Sequence, residues 1–448
     1  MKYVVSVILI LSCVFFFSGL FCCEATPLAF DGARGFGKYT EGGNHGRVLV
    51  VSSLGDNAKT PQKGTLRWAI KQAYPRLIVF SVSGIIHLEK ELEVKQGNVT
   101  IAGHTSPRGI VISGASTSIE ANQVILRHLR FRPGHLSEEG DALTVRNTKD
   151  VIIDHCSLSW SSDEVGSFYN NERFTLQNSI LSESLNNAGH HKGNHGYGGI
   201  WGGNNASFLQ NLLANHTSRN PRINGWRLKS PYPQKNEFVD IRNNIIANWQ
   251  SNSTYGGENG SANLVGNLYV PGPATEKVWF YQAWALDNPS TLVFIADNVM
   301  RSHPQMTSDN RLGVVVKGLN VNTPSAQLIL DNALVDKPLN AEAIQALNDP
   351  ILSAEATWNA LIVKKDIGAN QTRDGMQLDP VDNRILAQLR NDTYKFEKGI
   401  IDNELDVVEW GGYSEYFNRK KPSNMNTLQP ESNEKWRTLA GISSKQGK

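Results

Sequence analysis

Short runs of β-branched and aromatic residues recur through the middle of the chain, and none of them has the spacing of a helix. The runs cover 98–103, 123–132, 150–160, 173–183, 207–217, 238–249, 262–270 and 292–300. Matching apolar positions in successive runs lie 23 to 34 residues apart, at Val124, Val151, Phe174, Phe208, Val239, Leu264 and Val293. A repeat of this length is typical of a solenoid, whose units bury their apolar faces only against their neighbours. Because the units are strand-like, the pattern predicts an all-β fold, a parallel β-helix.

A polar residue interrupts most of these runs three or four positions after the start, where a bend between two short strands is expected. It is His155 in one run and asparagine in five others, at Asn178, Asn211, Asn243, Asn267 and Asn298. Asparagine tolerates left-handed dihedrals, and its amide bonds to nearby backbone. We therefore predict a ladder of stacked amides along the solenoid.

Both ends of the chain depart from the strand rhythm. Residues 65–73 have the pattern of a short helix, which we expect to cap the first coil, because a solenoid needs a covered end. After about residue 325 the strand runs fade, and 340–361 and 379–393 have helical spacing. We therefore expect one β-helix domain at 26–325 that carries the chemistry, and a tail at 326–448 whose helical segments pack on it.

The first 25 residues have the pattern of a secretory signal: a basic start, an apolar run at 4–21 and small residues behind it. A membrane anchor and a lipid-modified Cys23 are the alternatives. Beyond this leader one cysteine remains, Cys156, so internal disulfides are excluded and a buried small side chain is expected there. We predict a secreted protein, extracellular or periplasmic.

Composition narrows the classes of partner. The chain has 448 residues, with 44 Lys+Arg against 42 Asp+Glu, for a formal charge of +2. A protein that binds nucleic acid by neutralising phosphates usually has a basic excess, so no nucleic-acid partner is expected. No later stretch is apolar enough to span a membrane, and the glycine-rich segments lack a nucleotide-binding signature. We expect a monomer.

Acidic residues cluster beside two predicted coil corners. Glu139 and Asp141 precede one strand run, and Asp163 and Glu164 follow the next. Four carboxylates converging from neighbouring coils would suit a hard, oxygen-preferring cation such as Ca²⁺. Two other interpretations remain open: plain solvated acids, or a carboxylate pair for glycoside hydrolysis, which Asp154 could join.

Two glycine-rich or basic segments follow these acids. The segment HHKGNHGYGGIWGGNN at 190–205 contains three histidines whose spacing does not match a common helical zinc motif, and Lys192, which we interpret as an anion-binding residue. The segment at 216–230 contains Arg219 and Arg222 among its basic residues. Cations that face an acidic metal site are what a carboxylated sugar requires.

Taken together, these motifs resemble the pectate lyases of polysaccharide lyase family 1, in particular secreted bacterial members. The matching segments are FDGARGFG, GTLRWAI, IVFSVSG, NVTIAG, GDAL, VIIDHCSLSW with the following Asp163-Glu164, HHKGNHGYGGIWGG, SRNPR and DPVDNRIL. The resemblance covers most of residues 29–250 and continues weakly to about residue 400. It implies a right-handed single-stranded parallel β-helix, bound Ca²⁺, and β-elimination of polygalacturonate, an acidic polysaccharide.

The resemblance also assigns metal ligands. Asp141 matches the second aspartate of the family's Asp-x-Asp pair, and Glu139 stands at the first. Asp163 or Glu164 matches an acid of the next coil, and the sequence does not decide between them. The family's further acid, four residues on, has no carboxylate counterpart, because 167 and 168 are Ser and Phe.

The resemblance also assigns residues that contact the substrate. Lys192 matches the family's substrate-binding lysine, and Arg219 matches the catalytic arginine of Arg-x-Pro, which would remove the C5 proton. The family's second arginine is Asn224 here, and Arg222 is expected to replace it. Alternatives to a calcium-dependent pectate lyase are a metal-free pectin lyase or a pectin-degrading hydrolase on the same fold, and a non-catalytic carbohydrate-binding β-helix.

Overall fold

A computed structural model describes residues 26–227, 230–284, 290–394, 396–418, 430 and 432–442. The predicted signal at 1–25 lies outside these residues. The described chain forms a right-handed single-stranded parallel β-helix, in which successive strands pass in turn to three sheets, A, B and C. Each sheet is parallel throughout, and every strand except those at the ends of a sheet pairs with its counterparts in the coils before and after it. The predicted fold is confirmed.

The strands are short, and each sheet gathers one strand per coil. Sheet A contains Arg47–Val51, Arg76–Phe80, Val99–Ala102, Val124–Arg127, Lys149–Asp154, Glu172–Gln177, Asn204–Leu209, Phe238–Arg242, Ser261–Val265, Leu292–Ala296 and Leu334–Val335. Sheet B contains Gly84–His87, Ile110–Ser113, Arg130–Arg132, Ser157–Ser159, Ile180–Ser182, Leu212–Ala214, Ile245–Ala247, Leu268–Val270 and Val299–Met300. Sheet C contains Leu92–Val94, Thr117–Ile119, Leu143–Arg146, Gly166–Tyr169, Ile200–Trp201, Arg222–Ile223, Thr254–Gly256, Tyr281–Ala283 and Val314–Val316. Gln371–Thr372 and Gly375–Met376 form a separate antiparallel pair.

The interior of the solenoid is filled by aromatic and branched side chains, one layer per coil. Phe168 stacks on Phe174 with ring centroids 5.4 Å apart, and Trp201 lies parallel to Phe208 at 4.3 Å. All four side chains are fully buried, as is Cys156, which confirms the prediction for that thiol. Burial raises the pKa of the Cys156 thiol to about 12.

The predicted amide ladder exists, but at two turns its member is the residue after the predicted asparagine: Ser179 after Asn178, and Asn244 after Asn243. From the coil of Val124–Arg127 to that of Leu292–Ala296, two-residue turns join sheet A to sheet B, and the first turn residue has a positive φ, 49° at Asn178 and 53° at Asn243. Their side chains turn outward and bond the tail, to the carbonyl oxygens of Asp366 and Leu352. The second residue points inward and forms the rungs, at Ser179, Asn211, Asn244, Asn267 and Asn298.

Helices cover one end and one side of the solenoid. The α-helices are Leu66–Ile70, Pro304–Ser308, Pro324–Ala333, Ala341–Leu347, Ala354–Trp358, Pro380–Asn391, Trp410–Asn418 and Asn433–Leu439. A π-helical turn spans Asn359–Val363, and 3₁₀ turns span Gly103–Thr105, Gln234–Asn236, Asn310–Gly313, Glu397–Gly399 and Glu404–Asp406. The helix Leu66–Ile70 begins at Thr65, whose hydroxyl caps the backbone N–H of Trp68, and it buries Leu66 and Ile70 in the core.

The tail contacts the outer face of sheet B. Apolar residues of the helix Pro380–Asn391, including Ile385 and Leu389, pack against outward residues of sheet B such as Leu212 and Ile245. The last strand of sheet A, Leu334–Val335, lies beyond residue 325. Within the described ranges, the helices are all too short or too polar to cross a bilayer.

Candidate active site

The predicted functional residues come together because they occupy the same corner of successive coils. Connections from sheet B to sheet C run over 133–142, 160–165, 183–199 and 215–221 in four neighbouring coils. They carry Glu139 and Asp141, then Asp163 and Glu164, then Lys192, then Arg219. These side chains line one groove of about 490 Å³ on the outer face of sheet C. Its floor is a column of residues, one per coil, at Ser118, Thr144, Ser167 and Ile200.

Three of the acids form a compact cluster. Asp141, Asp163 and Glu164 offer carboxylate oxygens that all lie within 4.8 Å of one another. Asp141 accepts hydrogen bonds from the Thr144 hydroxyl at 2.6 Å and from the Glu164 backbone N–H at 3.0 Å, which fix its orientation. Burial, reinforced by the neighbouring Asp163 charge, raises the pKa of Asp141 to about 7. The cluster therefore concentrates negative charge that a cation would neutralise.

This donor set fits a divalent cation of the calcium class. All three ligands are carboxylates, the oxygen donors that Ca²⁺ prefers, and they come from two neighbouring connections. Both Asp163 and Glu164 belong to this cluster, and which of them binds a metal stays a prediction.

Glu139 lies at the rim of the groove and takes different partners. Its carboxylate is 2.7 Å from Nδ1 of His191 and 3.3 Å from Nε2 of His190, and it accepts the backbone N–H of His191 at 2.9 Å. That backbone hydrogen bond holds the pKa of Glu139 below its usual value. Glu139 is therefore not one of the three clustered acids, and its role as a metal ligand stays a prediction.

The sequence interpretation missed the contacts of two histidines with these acids. His195 Nε2 lies 2.9 Å from Asp163, and the His190 ring stacks on His195 with centroids 3.6 Å apart. Burial lowers the pKa of His195. The two histidines belong to the glycine-rich segment at 190–205, but they meet carboxylates that come from preceding coils. Spacing within the segment could not predict those contacts.

Arg219 and Lys192 are the cations of the groove. Arg219 forms an ion pair with Glu164, and its guanidinium carbon lies 4.3 Å from the centroid of the Tyr197 ring. Lys192 is exposed at the mouth of the groove. The predicted catalytic cation therefore contacts a member of the acid cluster directly.

Arg222 lies beside the groove instead of lining it. It begins a strand of sheet C and pairs with Ile200 of the groove floor. Its side chain is 8% exposed and forms an ion pair with Glu258 at 2.5 Å, while its guanidinium carbon lies 4.6 Å from the Trp284 ring centroid. The expected contact of Arg222 with substrate stays a prediction.

No protein-family model matches the chain. Two fungal proteins named probable pectate lyase C are similar to it. The one from Aspergillus flavus is 31% identical over 392 residues, covering 85% of this chain and 81% of that protein. The one from Emericella nidulans is 29% identical over 412 residues, covering 90% and 84%.

A solved structure supports the fold. The crystal structure of jun a 1, the major allergen from cedar pollen, matches with a TM-score of 0.53 and 19% identity, over 75% of this chain and 92% of that one. At this identity the match concerns the fold alone. The sequence relatives are similar over more than four-fifths of their length, a span that includes the connections that form the groove. The chain therefore belongs to the pectate lyases, a family of polysaccharide lyases.

Proposed function

We propose that this protein is a calcium-dependent pectate lyase that cleaves de-esterified polygalacturonate by β-elimination to unsaturated oligogalacturonides. The observation that carries the proposal is the ion pair between Arg219 and Glu164, which joins a candidate base to the three-carboxylate cluster within one groove. The proton removed from galacturonate lies α to a carboxylate. Its loss requires a base and a way to stabilise the developing negative charge. Arg219 is the proposed base, and a cation held by the three-carboxylate cluster would stabilise the charge.

The acid cluster is the proposed calcium site. Asp141, Asp163 and Glu164 would be the ligands, and Glu139 is a candidate for a fourth. Calcium bound there would withdraw charge from the substrate carboxylate and so favour loss of the neighbouring proton. The protein relatives named pectate lyase support this choice of substrate class.

Arg219 is the proposed base. Guanidinium ordinarily keeps its proton up to a pH of about 12, so its neutral form has to be favoured locally. Glu164 stabilises the protonated guanidinium while the two are paired, and it does so less when it serves as a metal ligand. Arg219 would then take the C5 proton. The electron pair of the C5–H bond becomes the C4–C5 double bond. The C4–O bond breaks with its electron pair on the 4-oxygen, which takes a proton from water as it leaves with the other half of the chain.

Cations at the mouth of the groove would hold the substrate. Lys192 is exposed there and offers three donors to a sugar carboxylate. Arg222 is proposed as a second substrate contact, reached by a sugar that lies over the next coil of sheet C.

The experiment is an ultraviolet assay of unsaturated product on polygalacturonate, with calcium and with EDTA. We expect Arg219→Lys to lower kcat by at least about 10³-fold while the affinity for substrate stays close to that of the wild type. The matched control is Arg173→Lys, because Arg173 pairs with Asp150 in sheet A, a different sheet from the one that forms the groove. A kcat of Arg219→Lys within tenfold of the wild type would rule out Arg219 as the base.

The same assay separates the alternatives. Unsaturated product that persists in EDTA, with a preference for methylated pectin, would identify a metal-free pectin lyase. Reducing ends without ultraviolet absorbance would identify a hydrolase, and binding without cleavage a non-catalytic module.

We also propose that the leader at 1–25 directs export and that the mature protein acts outside the cytoplasm as a monomer. N-terminal sequencing and light scattering of protein recovered from the culture medium or periplasm test both statements. An intact leader or a dimer would contradict them.

A further inference from the structure

The floor of the groove continues beyond the candidate active site. Parallel pairing in sheet C aligns Ile200 with Arg222, Arg222 with Tyr255, and Tyr255 with Gln282. Each step is one coil, about 4.8 Å along the solenoid axis. A polysaccharide that lies on the outer face of sheet C therefore meets these coils next after it passes Arg219.

An aromatic and cationic cluster lies on that continuation. Trp284 and Lys317 each follow an inward-facing, buried residue that ends a strand of sheet C, so both side chains point outward. The Lys317 ammonium lies 3.3 Å from the centroid of the Trp284 ring, and the Arg222 guanidinium carbon lies 4.6 Å from it. The indole N–H of Trp284 donates to Gln282 Oε1 at 2.9 Å, which fixes the ring.

The two cations of this cluster differ in what they can still bind. Arg222 is nearly buried and already paired with Glu258 at 2.5 Å. Lys317 is exposed, and none of the described carboxylates forms an ion pair with it. As far as the described residues show, the Lys317 ammonium has donors available for a ligand, and the Trp284 ring limits the positions that it can take.

Acidic and basic side chains are distributed unevenly along sheet C. The acids of the groove lie toward the N-terminal coils, whereas Arg219 and Arg222 share one coil further along and Lys317 lies three coils beyond them, toward the C-terminal end. A neutral sugar would gain little from the exposed Lys317 ammonium, but a polymer with one carboxylate per ring can place a carboxylate beside it.

We propose that the coils after Arg219 form an additional binding subsite for a uronate residue of the polysaccharide, in which Lys317 binds the carboxylate and Trp284 holds Lys317 in place. The subsite lies three coils from Arg219, a distance that about three sugar rings span. Only an oligosaccharide long enough to reach from Arg219 to Lys317 can therefore occupy the subsite. The inference rests on the proposed function for the identity of the sugar.

The test compares trigalacturonate with hexagalacturonate in the ultraviolet assay, for the wild type, Lys317→Ala and Lys317→Arg. We expect Lys317→Ala to raise KM for the hexamer about fivefold with kcat little changed, as loss of one exposed charge contact predicts. KM for the trimer should stay as in the wild type, and Lys317→Arg should restore the hexamer value. The matched control is Lys149→Ala, which removes one exposed cation from sheet A.

Three outcomes would overturn the subsite: an unchanged KM for the hexamer, an equal rise for the trimer, or the same rise in Lys149→Ala. If the wild type releases no unsaturated product at all, the proposed function fails, and calorimetric binding of the hexamer then decides the subsite. Equal affinity of the wild type and Lys317→Ala for the hexamer would exclude it.

Discussion

Asp379 connects the C-terminal tail to the β-helix through a buried charge network. Its Oδ2 lies 2.5 Å from Nη1 of Arg132 and 2.8 Å from Nε of Arg130, and it accepts the Tyr413 hydroxyl at 2.6 Å. Asp379, Arg130 and Arg132 expose at most 1% of their side chains. Burial alone would raise the pKa of Asp379, but the two arginines hold it below its usual value. The attraction therefore persists until strongly acid pH and is lost as pH falls through that lowered pKa.

Substitution of Asp379 by asparagine removes the negative charge of this side chain while it keeps the helix cap. The Oδ1 of Asp379 accepts the backbone N–H of Asp382 and caps the helix Pro380–Asn391, and asparagine caps a helix about as well as aspartate. Arg130 loses its ion-pair partner, and Arg132 keeps only Asp382 at 2.7 Å. Removing one partner of a buried ion pair costs about 3–5 kcal/mol. We expect the free energy of unfolding to fall by that amount.

Urea unfolding at neutral pH, followed by circular dichroism and by tryptophan fluorescence, measures the change. The matched control is Asp150→Asn, because Asp150 pairs at 2.6 Å with Arg173, a side chain that is 49% exposed. Such a pair contributes about 0–1 kcal/mol. If Asp379→Asn destabilises the protein no more than Asp150→Asn does, the buried network does not stabilise the fold and the reasoning is refuted.

Two further predictions concern the turns between sheets A and B. His155 lies between Asp154 at 2.8 Å and Asp366 of the tail at 3.2 Å. Burial would lower its pKa, but these carboxylates raise it to about 9, so the stability that His155→Gln loses should be largest below pH 6.5 and vanish as pH rises through 9. Urea midpoints across that range check the sign, and a deficit that grows with pH would contradict it. Asn244→Ala should cost about 2–4 kcal/mol, because the backbone N–H of Asn211 and other buried groups lose partners. A loss below 1 kcal/mol in chemical denaturation would argue against the ladder as a stabilising element.

The hydrophobic pattern predicts the architecture well because a solenoid is local: each strand repeats the pattern of its neighbours. The pattern does not predict which of the two turn residues between sheets A and B points inward. Asn178 and Ser179 are adjacent polar residues, and either one could have formed the rung. Only the backbone decides, because the first position has a positive φ and directs its side chain outward. The second position therefore supplies the ladder, as Asn244 does after Asn243.

The site was predictable to the extent that its residues come from motifs, and less so where contacts cross between coils. Asp141, Asp163 and Glu164 cluster as the acidic motifs suggested. Glu139 belongs to the same motif as Asp141, yet its carboxylate faces His191, which lies 52 residues away in the sequence. Such pairs depend on how connections of different length fold over sheet C, and no spacing along the chain encodes that.

The near-neutral charge of the chain has a physical consequence for binding a polyanion. With a formal charge of +2, long-range attraction between protein and polysaccharide is weak, and salt screens it within about 8–10 Å. Affinity must then come from charges that touch the substrate. Two exposed cations proposed to do so, Lys192 and Lys317, lie at the two ends of the row of coils that carries Arg219. A neutral protein can therefore bind an acidic polymer if its acids are neutralised locally by a cation and its cations lie in line along sheet C.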